Sequence, residues 1–158
     1  MSGAGNPGEA VFGFTGSRVV IVASSWHAQV MDGLIAGAVR VITEAGVTPE
    51  VHRVPGAFEL SIAAREAALA GADAVVALGV VIRGGTPHFD FVCNAATDGL
   101  TRVALDTGVP VGFGVLTCDT EQQALDRAGL DGSSEDKGAQ AAAAALNTWV
   151  VLRNIRNA

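Results

Sequence analysis

The chain of 158 residues contains no tyrosine, and aromatic residues make up only 5% of it. A core with so few rings must be filled by Val, Ile, Leu and Ala, so an aromatic residue in a loop stands out. Only two cysteines occur, Cys93 and Cys118, far apart and without metal-ligand spacing. They exclude a disulfide framework and read as small core residues in a reducing compartment. Basic residues are scarce, with 10 Lys and Arg against 16 Asp and Glu and a net charge of -6. That balance excludes a nucleic-acid binder, which needs a basic face, so any phosphate held here is held by a few local residues. No run reaches the roughly 18 apolar residues of a membrane span. Charge of either sign is low, 16% against 49% apolar residues. Monomers rarely expose the apolar surface this implies, which predicts burial against other subunits. Residues 1–10, rich in Gly, Ser and Pro with no basic start or apolar stretch, are expected to form a flexible tail. Residues 11–158 are then one domain, and the protein is expected in the cytoplasm.

What is present is an alternation of apolar strands and amphipathic helices. Arg18–Ala23, Glu50–Val54, Ala74–Ile82 and Val109–Leu116 read as strands, and Val11–Phe14 as a short edge strand. Helices are predicted over 27–45, from Glu59 to Gly71, over 88–107, over 120–128 and over 134–157. The alanine run 141–145 belongs to the last helix, since alanine is the best helix former and a smooth face allows close helix approach. This alternation predicts a three-layer α/β/α fold with a central four-stranded parallel sheet, flavodoxin-like. Ligands of such sheets gather beyond the carboxyl ends of the strands.

Every polar candidate lies just after a strand. Arg83-Gly84-Gly85-Thr86-Pro87 joins the most apolar strand to a helix start at His88. Free N–H groups there suit an anion, though a strand-to-helix turn explains the glycines equally well. His88 is the nearest proton carrier at neutral pH, or else a helix cap. Trp26, a loop aromatic, suits stacking on a planar heterocycle or a subunit contact. Glu59 suits a polyol or amine, but a carboxylate at a helix start is favoured by the dipole anyway. His27 is open, His52 reads as structural, and Arg127 and Lys137 are surface charges unless folded or donated onto a phosphate. There is no Ser-His-Asp order, no pair of carboxylates in contrasting surroundings and no metal cluster.

Taken together, Ser25-Trp26-His27, Val54-Pro55-Gly56-Ala57-Phe58-Glu59, the run Leu78 to Asp90, Phe113-Gly114-Val115-Leu116-Thr117 and Leu125-Asp126-Arg127-Ala128-Gly129 closely resemble the lumazine synthase family. The resemblance runs from about Arg18 to Leu152, and Arg-Gly-x-Thr-x-His-Phe-Asp after such a strand is its most specific part. It implies the penultimate step of riboflavin biosynthesis. There a ribitylamino-substituted aminopyrimidinedione condenses with 3,4-dihydroxy-2-butanone 4-phosphate to 6,7-dimethyl-8-ribityllumazine, without cofactor or metal. It further implies that Trp26 stacks on the pyrimidine, that Ala57, Phe58 and Glu59 hold the ribityl chain, and that Val80, Val81 and Ile82 line the ring. Gly85 and Thr86 match the phosphate loop, Arg127 the cation completing it, and His88 the proton-transfer residue. Lys137 matches a lysine near the substrate.

In the family Phe113 and Arg127 come from the adjacent subunit, so the resemblance implies a homo-oligomer with sites at its interfaces. Family members form pentamers, paired pentamers or sixty-subunit shells, the shells with a short link before the last helix. Here the link Gly129–Lys137 is longer, and a free pentamer is expected. Two departures stand out: Trp26-His27 replaces a common Phe-Asn pair, and Gly85 replaces a residue with a side chain. Two rival readings are weaker. A flavin carrier would use Ser24-Ser25 as phosphate loop, which is short and poor in hydroxyls, and a scaffold with a dead site has no need of His88, Glu59 and Arg127.

Overall fold

The computed structural model describes Gly8 and residues 14–158. The expected tail, Gly8 apart, and most of the expected edge strand Val11–Phe14 lie outside the described residues; Phe14 itself is in no strand. The elements run β1 (Val19–Ser24), α1 (Ala28–Glu44), β2 (Glu50–Val54), a 3-10 turn (Ala57–Glu59), α2 (Leu60–Leu69), β3 (Ala74–Ile82), α3 (His88–Thr107), β4 (Val111–Cys118), α4 (Glu121–Leu125) and α5 (Lys137–Asn157). All strand pairings among the described residues are parallel, in the order β2-β1-β3-β4. This is the flavodoxin-like three-layer arrangement.

The two-residue period of the strands sorts the core into two layers. Val19, Ile21 and Ala23 of β1 and Ala74, Val76, Leu78 and Val80 of β3 face α1 and α5. Val20, Val22, Val75 and Ala77 face α2 and α3. Ala139, Ala141, Ala142, Ala143 and Ala145 of α5 are buried, as a close-packing helix requires, and Ala144 is exposed. A Cβ at Gly138 would run into the Leu34 carbonyl of α1, so only glycine permits that approach. Phe14 stacks on Trp149 of α5 with centroids 4.3 Å apart.

Boundaries differ from expectation where backbone donors and caps intervene. β4 starts at Val111, two residues later than predicted, because Pro110 has no N–H to give. It runs on to Cys118, paired with Ile82. α5 starts at Lys137 because Asp136 caps it, accepting from the Ala139 N–H at 2.9 Å. The preceding link is tied back on itself. Ser133 Oγ donates to the Leu125 carbonyl, Glu135 N–H donates to the Asp126 carbonyl at 3.0 Å, and Ala128 bridges Asp136.

Candidate active site

The carboxyl ends of β1 and β3 open onto a pocket of about 310 Å³, lined by Trp26, His27, Gly56, Ala57, Phe58, Val80, Val81, Ile82, His88 and Val92. The parallel sheet explains the convergence. β1 delivers Trp26, β2 delivers the 3-10 turn, and β3 delivers Val80–Ile82 and then His88 at the first turn of α3. Gly79 is needed for the fit: a Cβ there would lie 3.0 Å from Leu60 Cδ1 and 3.7 Å from Ala57 Cβ, so its absence lets the turn settle on the strand. Trp26 is 66% exposed and Phe58 64%, unusual for rings in a chain so poor in them. His27 holds φ 58°, the only left-handed non-glycine among the described residues. Such outliers collect at functional sites.

Glu59 stands beside the pocket with one oxygen committed. Its Oε2 accepts the Gly56 N–H at 2.8 Å, closing the 3-10 turn. A Cβ on Gly56 would lie 3.2 Å from that oxygen and 3.7 Å from Trp26 Nε1, which places indole and carboxylate side by side. Oε1 takes no hydrogen bond among the described residues, leaving an acceptor for a ligand hydroxyl. Gly85 and Thr86 follow the pocket floor as exposed loop, and the imidazole of His88 is exposed.

The remaining three expected residues lie elsewhere. Phe113, Arg127 and Lys137 line a second cleft, about 580 Å³, along the edge strand β4 and helix α5. Arg127 Nη1 donates to the Gln123 carbonyl at 2.8 Å, and Lys137 pairs with Glu135 and donates to Gln140 Oε1 at 2.9 Å. The Lys137 ammonium hydrogen-bonded to Glu135 holds that carboxyl below its usual range. The outer edge of β4 pairs with no strand among the described residues. Within one chain the first cleft thus takes Trp26, Ala57, Phe58, Val80, Val81, Ile82 and His88, the second takes Phe113, Arg127 and Lys137, and Glu59, Gly85 and Thr86 line neither. Val92 and His27 line the first without having been assigned a role; Val92 sits one helical turn after His88, the one signal that could have found it. No group of three metal-ligating side chains occurs among the described residues, and no helix there is long and apolar enough to cross a membrane.

The sequence model of the 6,7-dimethyl-8-ribityllumazine synthase family matches residues 16–153. The chain is 66% identical over 158 residues to the 6,7-dimethyl-8-ribityllumazine synthase of Leifsonia xyli, covering 99% of each protein. It is 65% identical over 156 residues to that of Kineococcus radiotolerans, covering 98% of this chain and 96% of the relative. With the enzyme of Streptomyces avermitilis the identity is 59% over 156 residues, covering 98% and 97%. The four-stranded parallel sheet, the pocket at its carboxyl ends and this likeness over almost the whole length agree, and the chain belongs to the 6,7-dimethyl-8-ribityllumazine synthase family.

Proposed function

We propose that the two clefts are halves of one site, completed between neighbouring subunits, in which 5-amino-6-(D-ribitylamino)uracil and 3,4-dihydroxy-2-butanone 4-phosphate condense to 6,7-dimethyl-8-ribityllumazine. Phosphate and water leave, one water for each carbonyl captured by nitrogen. Trp26 stacks on the pyrimidine and the β3 residues Val80, Val81 and Ile82 read its edge. Ala57 and Phe58 flank the ribityl chain, with Glu59 Oε1 accepting from a hydroxyl. Gly85 and Thr86 offer backbone N–H and hydroxyl to the phosphate. Arg127 of the next subunit neutralises it, and Phe113 and Lys137 arrive on the same edge. His88, over the phosphate loop, moves the protons of imine formation and phosphate elimination. The reactants need little more than alignment, so holding them together is most of the catalysis.

The observation that carries this reading is the division itself: the pocket lined by Trp26, Phe58 and His88 has no Lys or Arg in its wall, and Arg127 lines a separate cleft along the edge strand β4. Exposed Ile62 and Leu69 on α2 and Phe91 and Leu105 on α3 supply apolar surface for further subunit contact. A ring of five, one domain per chain over 11–158, fits these features and the long, tied link before α5. Two free cysteines suit the cytoplasm. The test is to mix purified protein with both substrates and follow the lumazine's absorbance and fluorescence. Turnover above the uncatalysed background is expected, with Arg127→Ala raising KM for the butanone phosphate about ten- to a hundred-fold, the worth of a charge-assisted contact. Background rate from an assembled protein would overturn the reading.

A further inference from the structure

The loop that would hold the phosphate is poorly anchored on its own account. None of the hydrogen bonds among the described residues involves Gly84, Gly85 or Thr86, and a Cβ on either glycine would meet nothing within 4 Å. Backbone N–H groups bind an anion well only when they are already aimed at it, since ordering a loose loop costs affinity. One side chain ties both ends of this loop. Arg83, its first residue, lays its guanidinium over the ring of Phe89, with Cζ 4.1 Å from the centroid. Its Nη1 donates to Asp90 Oδ1 at 3.5 Å, so residue 83 is joined to residues 89 and 90 across the loop. Its Nε donates to Asp119 Oδ1 at 2.8 Å, and its backbone N–H donates to the Cys118 carbonyl at 2.9 Å. The base of the loop is thereby pinned to the end of β4. A planar fork can serve carboxylates in two directions while stacking on a ring; a lysine cannot.

We propose that Arg83 is a positioning residue for the phosphate loop, acting through Asp119, Asp90 and Phe89 and not as a phosphate ligand itself. The proposal rests on the reading of Gly85 and Thr86 as phosphate-binding. Two variants separate the roles. If Arg83 clamps the loop, both Arg83→Lys and Asp119→Asn loosen it. If Arg83 were a ligand restrained by Asp119, removing the Asp119 charge would free it and tighten phosphate binding. Steady-state KM values for each substrate, titration with inorganic phosphate and circular dichroism are measured on wild type and both variants. The clamp predicts that KM for the butanone phosphate and the dissociation constant for phosphate rise on the order of ten-fold in both variants, the scale of a modest misplacement. KM for the pyrimidine stays within about two-fold, since β3 keeps its ladder through Ile82 and neither variant touches Trp26, Phe58 or Glu59. Tighter phosphate binding in Asp119→Asn, unchanged phosphate parameters in folded variants, or an equal rise in both KM values overturns the proposal. Should Arg83→Lys fail to fold, Asp119→Asn decides alone. A wild type that neither turns over nor binds phosphate would instead overturn the function on which the proposal stands.

Discussion

Glu59 does two things at once, and the two come apart by substitution. Its Oε2 closes the 3-10 turn on Gly56, while Oε1 takes no hydrogen bond among the described residues and is the acceptor proposed for the ribityl chain. Glu59→Gln keeps an acceptor for the Gly56 N–H but loses the charge that strengthens a hydroxyl contact. It is expected to raise KM for the pyrimidine about ten-fold, the difference between a charge-assisted and a neutral bond, with the melting temperature little moved. Glu59→Ala removes the turn's closure as well and is expected to cost about 1 kcal/mol in urea denaturation. Equal stability of the two variants would show that the turn does not depend on this side chain. Trp26 is largely exposed, which agrees with the proposed stacking role and equally with a subunit contact.

Among the elements, β2 is the most exposed strand, and its tie to β1 is ionic as well as backbone-made. Arg18 donates from Nε to Glu50 Oε1 at 2.7 Å and from Nη2 to Oε2 at 3.0 Å. Those bonds, with a weaker one from His52, hold the Glu50 carboxyl at about 2 against an ordinary 4.5. The folded form therefore resists a proton that the unfolded chain accepts. The stabilisation is fully present above pH 4.5 and is lost as pH falls towards 2. The pair is solvent-exposed, so its effect is small and salt-sensitive. The urea midpoint of the wild type is expected to fall more between pH 4.5 and 2 than that of Glu50→Gln, which has no carboxyl to protonate. Parallel curves for the two proteins would show that the tie contributes nothing. The turn from β4 into α4 has a second importance: Asp119, which takes Arg83, also donates its N–H to Gln123 Oε1 at 2.8 Å, and the Gln123 carbonyl holds Arg127.

At the scale of the whole molecule, the proposed site needs His88 of one cleft and Arg127 of the other, which a head-to-tail contact between subunits would bring together. Such a heterologous contact makes a ring when its rotation closes, and the proposed ring of five is such a case. His88→Ala and Arg127→Ala subunits, each deficient alone, then complement each other on mixed assembly. A site that takes His88 from one parent and Arg127 from the other is wild type. Random co-assembly at equal amounts makes about one quarter of the sites complete around such a ring. Co-refolded mixtures are expected to recover about that fraction of wild-type turnover at saturating substrate; recovery no greater than the average of the separate variants would place both residues in one subunit's site.

The layers of this fold were legible in the sequence because burial writes its own period. Continuous apolar runs marked β1 and β3, a 3.6-residue period marked α1, and the alanine run marked a helix that packs closely. The first cleft was legible for a related reason: in a parallel sheet whatever follows each strand arrives at the same end, so Trp26, Ala57–Glu59 and His88 could be grouped from chain order alone. The proposal that Phe113 and Arg127 serve a neighbour came only from family likeness, since nothing local marks a strand as an edge. The strand order β2-β1-β3-β4, which makes β4 that edge, was decided by tertiary packing. So were the half-committed carboxylate of Glu59, the place of Val92 and His27 in the pocket wall, and the grip of Arg83 on Asp119, 36 residues away. Residue type and periodicity report what a side chain buries and which face it takes. Hydrogen-bond partners distant in the chain are set by how the layers close, which no local pattern carries.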